Sequence, residues 1–260
     1  MAAEELDSGS NDFLVPFRGA DVVMLGEVHD NALHHAVQAR IVAALQPSAI
    51  VFEMITPGQA RAVTEDIRAD VLKLQSALEW EARGWPNFAM YYPIFAAAPR
   101  EGIFGGAVPR EDVRDAVSEG AAAILGGAAP LFGLDQPLDD QQQAAREALQ
   151  MAAHCDALPE EMLPGMVEAQ RLRDAALARA VVNALSQGGD GPVVVIAGNG
   201  HVREDWGEPS ALRHYLDATG ETAEIVTFGQ FEEAAPEAPQ VTRWLVTEAA
   251  KRDDPCATFR

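Results

Sequence analysis

Residues 21–31 read DVVMLGEVHDN, and the fold turns on this stretch. Val22 to Leu25 form an unbroken apolar run with no polar alternation, the pattern of a strand covered on both faces. Glu27, His29, Asp30 and Asn31 then follow within five positions of Gly26. The stretch predicts a central parallel strand whose carboxyl end carries proton-exchanging and metal-capable groups.

Similar runs recur outward from it. AIVFE from Ala49, GIFGG from Gly102, PVVVIAG from Pro192, AEIVTF from Ala223 and TRWLVT from Thr242 all read as strands. Helical patterns separate them. Residues 32–46 carry Leu33, Val37, Ile41 and Leu45 at intervals of four, with Asn31 as N-cap. Further helices are expected over 57–83, 110–120 and 138–187. Strands alternating with helices imply βαβ units. The expected fold is therefore α/β, a mainly parallel sheet flanked by helices. Residues 12–56, 86–137 and 188–250 would form this domain. Residues 57–85 and 138–187 exceed what crossovers need, and would pack together as a helical-bundle subdomain.

Composition narrows the function. The chain has 260 residues and a net charge of −21, from 40 acidic and 19 basic residues. Such a field repels nucleic acid and anionic membrane surfaces. No apolar run reaches the roughly 18 residues of a transmembrane helix. No signal peptide opens the chain, although MAAEELDSGS would also suit a mature N-terminus. Cys155 and Cys256 make neither a disulfide framework nor a zinc knuckle. One bridge pinning the tail, or two buried thiols, are both open. The first would suit an oxidising, periplasmic location.

Three strands end in polar groups. DVVML leads into Gly26-Glu-Val-His29, AIVF into Glu53, and PVVVIA into Gly198-Asn-Gly-His201. Ligands of open parallel sheets bind beyond the carboxyl ends of the strands. Glu27, His29, Glu53 and His201 should therefore meet, with glycines at φ > 0 turning the chain beneath them. Their composition suits a divalent transition metal that activates water, with Glu27 or Glu53 as base. His34 and His35 start the next helix and are candidates for the same site. Gln170, Arg173 and Asp174, at i, i+3 and i+4, form a polar helix face that could wall it. His154 and His214 have no convergent partner and read as ordinary hydrogen-bonded groups.

WPNFAMYYPIF, from Trp85, is an aromatic cluster suited to a core or to a flat macrocycle such as haem, with a tyrosinate on iron. Arg110 follows a strand, where it could pair a propionate or another acid.

Taken together, GEVHDNALHHAVQ, Glu53, YYPIF, PR, AQRLRDAALA and GNGHVREDWGEP resemble the ChaN-like haem-binding uptake family, over roughly residues 18–230. That family belongs to a wider group with Tiki and TraB proteins and erythromycin esterases. The resemblance implies a parallel α/β domain with a helical subdomain, haem as cofactor, a role in iron uptake and a homodimer around haem. Cofactor-binding candidates are then His34, His35, Arg110, Gln170, Arg173 and Asp174 from their positions, and Tyr92, in the stretch that matches the family, with Tyr215 just after the second motif as the other tyrosine. Related Tiki proteins imply the alternative, a metal-dependent peptidase or esterase using two Gly-x-x-His motifs and a glutamate. The chain departs from the family pattern at GGAVPR, where an asparagine often precedes PR, and it shows no lipobox cysteine.

Overall fold

A computed structural model describes residues 4–7, 9–10, 13–99, 101–254 and 256–257. The first three residues of the chain and residue 12, the expected start of the α/β domain, lie outside these. In chain order the elements are β1 Glu4–Glu5, β2 Val22–Glu27, α1 Ala32–Leu45, β3 Ala49–Phe52, α2 Pro57–Ala62, α3 Glu65–Arg68, α4 Val71–Ala77, α5 Phe88–Ala97 and β4 Ile103–Gly105. Then come α6 Arg110–Glu119, α7 Ala121–Leu125, α8 Asp140–Ala153, α9 Leu163–Ser186, β5 Val193–Gly198, α10 Glu208–Thr219, β6 Ile225–Glu232 and β7 Arg243–Thr247.

Among the described residues the sheet has seven strands in the order β1-β7-β6-β2-β5-β3-β4, and each of their pairings is parallel. β2 and β5 are buried along their whole length, as their unbroken apolar runs require. Alternate side chains divide between two cores. Val23, Leu25, Ile50, Phe52, Val194 and Ile196 face one side, under Ile41 and Val42 of α1 and the aromatics of α5. Val22, Met24, Val51, Val193 and Val195 face the other, under α9 and α10. Because β2, β5 and β3 are neighbours, the three polar strand ends lie side by side.

Two expectations change. The apolar stripe of α1 is not its buried face. Leu33 is 48% exposed, whereas His34, His35, Gln38, Ile41 and Val42 are buried. Polar donors on that face find partners in the strand-end region, and burial follows them. Segments 57–85 and 138–187 lie against opposite faces of the sheet. The first contributes Ala60, Leu74, Leu78 and Trp80 to the α1 side. The second contributes α9, whose Ala175, Ala178 and Ala184 let it lie close over β3, β4 and β5. α9 is thus a sheet-covering helix that leads directly into β5.

α8 differs from α9 in having no buried residue. It packs on α9, and Cys155, just beyond its end, is bonded to Cys256 of the tail. The tail itself is tied beside the strand ends. Ala250 N donates to Glu232 Oε1 at 2.9 Å, and Arg252 forks onto Asp30 and Glu232 at 2.6–2.7 Å. Since the bridge closes a loop of 101 residues, Cys256→Ser should lower unfolding free energy by about 2–4 kcal/mol. Denaturant melts of oxidised wild type and variant measure this. Thiol counting on unfolded, unreduced wild type should find no reactive cysteine.

Candidate functional site

Glu27 ends β2 and is 2% exposed. Its Oε1 accepts from Tyr91 OH at 2.5 Å and from His29 Nδ1 at 2.7 Å. Its Oε2 lies 3.3 Å from His35 Nδ1. Burial would raise this carboxyl, but the bonds from His29 and His35 hold it well below the usual range. Glu27 thus faces inward, and its Oε1 holds His29 at Nδ1. The glycines of the two motifs do not adopt φ > 0. They are required for space: a Cβ at Gly26 would collide with Asn199 and Val202, and one at Gly198 would lie 3.0 Å from His29 Nε2.

Glu53, immediately after β3, is the centre of the exposed part of the site. Its Oε2 accepts from Gly198 N at 2.7 Å and lies 3.7 Å from His29 Nε2. Its Oε1 lies 3.4 Å from His201 Nε2. His201 Nδ1 is 2.6 Å from Asp174 Oδ1 on α9, and the Gln170 amide lies 3.1 Å from the same nitrogen. Burial would lower His29, yet Glu53 and Glu27 push it up to about 9. Burial would lower His201 also, yet Glu53 and Asp174 push it up to about 10. Burial would raise Glu53, and His201 and His29 bring it down to about 2. The strand ends therefore hold an alternating row of carboxylates and imidazolium ions.

The four expected metal ligands converge, but not as a coordination set. Among the described residues, no group of three or more His, Cys, Asp or Glu side chains is arranged to hold a metal ion. The reason is pairing: Glu27 is consumed by Tyr91, His29 and His35, and the remaining three face one another.

The expected cofactor ligands divide. His34 is fully buried. Its Nδ1 accepts from Val28 N at 2.9 Å, and its Nε2 donates to Thr247 Oγ1 at 2.9 Å. Burial lowers it to about 4, so it is neutral and structural. His35 is buried too, donating from Nε2 to His29 O at 2.9 Å. Tyr92 points elsewhere, with its hydroxyl donating to Ala69 O at 3.3 Å. Arg110 donates to Arg83 O at 2.8 Å and does not line the strand-end cavity. Gln170, Arg173 and Asp174 do belong to the site, as a wall from α9.

Above the strand ends lies a cavity of about 330 Å³, lined by His29, Glu53, Gln170, Arg173 and His201 from below. Arg146, Leu149, Gln150, Ala153 and His154 close it from α8, with Trp206 beside them. Arg146 lies 5.3 Å over the Trp206 ring. Trp85 stands edge-on to His29 at 5.0 Å.

The sequence pattern does not single out Tyr91, Trp85, Arg146 or Trp206, and it reads His154 as an ordinary hydrogen-bonded group, whereas the structure places His154 at the cavity. Tyr91 had a usable signal. Phe88, Tyr91 and Phe95 share one helix face and are all buried, which sets Tyr91 apart from Tyr92. Glu208 was also missed. It is wholly buried behind His201 with neither carboxyl oxygen hydrogen-bonded, and burial raises it well above the usual range.

Two outcomes follow. Tyr91→Phe leaves a buried carboxylate one donor short and should cost about 1–3 kcal/mol, measured by urea denaturation. Stability should also depend on pH from both sides. The raised imidazoles contribute fully below their ordinary value of 6.5 and lose that contribution as pH climbs through about 9 and about 10. Glu53 contributes fully above 4.5 and loses it as pH falls toward about 2. Melting temperature should thus peak between these limits, and His201→Ala should flatten the alkaline limb.

Residues 14–212 match the model of a family described as haem-binding uptake, Tiki superfamily, ChaN. Among solved structures, the chain is similar to that of "Cofacial heme binding to ChaN of Campylobacter jejuni", with TM-score 0.64 and 17% identity over 88% of this chain and 89% of that one. It also aligns with the type III effector HopBA1 at TM-score 0.45 and 14% identity, covering 88% of each chain. A third alignment is with the erythromycin esterase mutant EreC H289N, at TM-score 0.42 and 14% identity, covering 89% and 76%. At these identities the likeness concerns fold. No curated protein matches the sequence.

Proposed function

The chain belongs to the haem-binding uptake family of the Tiki superfamily, ChaN, and from that premise we propose that it binds haem over the carboxyl ends of its sheet, in the service of haem or iron acquisition. The observation that carries this placement is the pair Arg146 and Arg173 at one cavity. The chain has 40 acidic residues against 19 basic, so two guanidinium groups beside Leu149, Val167 and Trp206 are a specific provision. Arginine pairs carboxylates such as propionates, and the apolar and indole surfaces suit a macrocycle. Arg173 makes no ion pair among the described residues, which leaves it free for one. When bound, haem would supply its iron as the ligated and transported centre. The chain's own residues provide apolar contact, cationic partners and an imidazole.

A cavity of about 330 Å³ is at the small end of the ~300–1,000 Å³ range for ligand sites. A macrocycle there would stand partly outside, and a second copy of the chain covering that face would explain a homodimer. A hydrolase using the same groups is supported less. Glu27 is turned away from the cavity, and Glu53, His29 and His201 neutralise one another. The Cys155–Cys256 bond supports an oxidising compartment such as the periplasm. No helix among the described residues is long and apolar enough to cross a membrane.

Haemin titration followed by absorbance should saturate near one haem per chain, with Arg146→Ala and Arg173→Ala each weakening binding by roughly tenfold, about 1.4 kcal/mol. Absence of any Soret change in wild type would refute haem binding. Size-exclusion chromatography with and without haemin tests the dimer.

A further inference from the structure

We propose that His154, one residue beyond α8, is the side chain of this protein that ligates the haem iron. This rests on the haem reading above and goes beyond it by naming the ligand.

His154 Nδ1 is 2.8 Å from Gln150 O. A carbonyl can only accept, so Nδ1 carries a proton, and in the neutral ring Nε2 is the nitrogen with the lone pair. That is the arrangement in which a carbonyl orients an iron- or metal-bound imidazole and raises its basicity. Nε2 has no hydrogen bond among the described residues. The residue is half-buried and lines the cavity over His29, Glu53 and His201.

Among the described residues, the other side chains able to hold haem iron through imidazole, phenolate or thiolate either are bonded to protein groups or do not line this cavity. The chain has six histidines, three tyrosines and two cysteines. His29 and His201 each stand between two carboxylates. His34 and His35 are buried with both ring nitrogens occupied. His214 lines a different cavity, together with Gly133 and Ser210. Tyr91 is bonded to Glu27, Tyr92 to Ala69 O, and Tyr215 stacks on Phe132 at 5.6 Å. The cysteines are bonded to each other. No methionine among the described residues lines the cavity.

The position is also fixed from outside. Cys155 and Asp156 have φ of 60° and 54°, left-handed values that non-glycine residues seldom adopt. Cys155 is covalently held by Cys256, four residues beyond Arg252, which is anchored on Asp30 and Glu232. The imidazole is therefore presented by a helix end tied at its neighbour. On the same helix face Gln150 lies one turn earlier and Arg146 two turns earlier, so ligand and carboxylate partner come from one element.

The test compares haemin-loaded wild type, His154→Ala, His29→Ala and Tyr92→Phe. Binding is counted by quenching of tryptophan fluorescence, and ligation is read from ferric electron paramagnetic resonance and the ferrous–carbon monoxide Soret band. Wild type should show a nitrogen-ligated iron. His154→Ala should lose that signature, with affinity reduced about tenfold or more, and added free imidazole should restore the spectrum. Tyr92→Phe should leave the spectrum unchanged. If wild type binds haem and His154→Ala gives the same spectra, the ligand assignment is overturned while haem binding stands. A folded His154→Ala protein whose lost signature imidazole cannot restore overturns it as well. If wild type binds no haem, the functional reading fails first.

Discussion

The carboxylate of Glu27 is a full charge at a position 2% exposed, and much of the molecule's polar architecture serves to tolerate it. An isolated buried carboxylate is very costly, so it must be paired and hydrogen-bonded. Tyr91 reaches it from α5, His35 from α1 and His29 from the turn after β2. Three elements are thus fixed relative to one strand end by a single side chain. The consequence passes outward. With Nδ1 held by Glu27, the His29 ring can only present Nε2 toward Glu53. Glu53 in turn draws His201, and His201 draws Asp174. The chain of charges runs from the sheet interior to α9 without a break.

This explains which parts of the protein were legible in its sequence. The unbroken apolar runs at Val22, Ala49 and Val193 disclose strands buried on both faces, and the strand-end rule then brings Glu27, His29, Glu53 and His201 together. The order of strands was not legible, because pairing is decided by contacts distant in sequence. β1 is not legible because Glu4–Glu5 has no apolar signature; it is joined to β7 by parallel backbone pairing and by the Arg243–Glu4 ion pair. The face of α1 was misjudged for a specific reason. Helical periodicity assigns burial to apolar residues, and here His34, His35 and Gln38 are buried because backbone and side-chain groups of neighbouring elements await them. Polar burial is visible only when the partners are known.

The direction of Glu27 illustrates the same limit at the site. Residue type and spacing put a glutamate and a histidine beside one another, which suits metal binding, acid–base catalysis or an internal ion pair equally well. What decides among them is whether each lone pair has a protein partner. Gly198 is instructive here. Its lack of a side chain matters through the room it leaves for His29, and its N–H is used to hold Glu53. Sequence pattern suggests a turn conformation for this motif glycine, and the structure uses it for close packing of charged groups.

An electrostatic row that is complete in itself has little to offer a ligand beyond a firm floor. His29, Glu53 and His201 pair their charges with one another, and His201 with Asp174, so on the proposed reading the contacts to a bound molecule would come chiefly from what lies above them. That layer is α8, Trp206 and the exposed side of α9. α8 buries none of its residues, so its sequence is constrained less by core packing than by what it presents to the cavity and by the covalent tie at its end. On the haem reading proposed above, the sheet would fix where a ligand is received, and this helix would be free to set which ligand is held. The same division lets one fold carry different functions, since residues on a loosely packed covering element can change without disturbing the buried network beneath it.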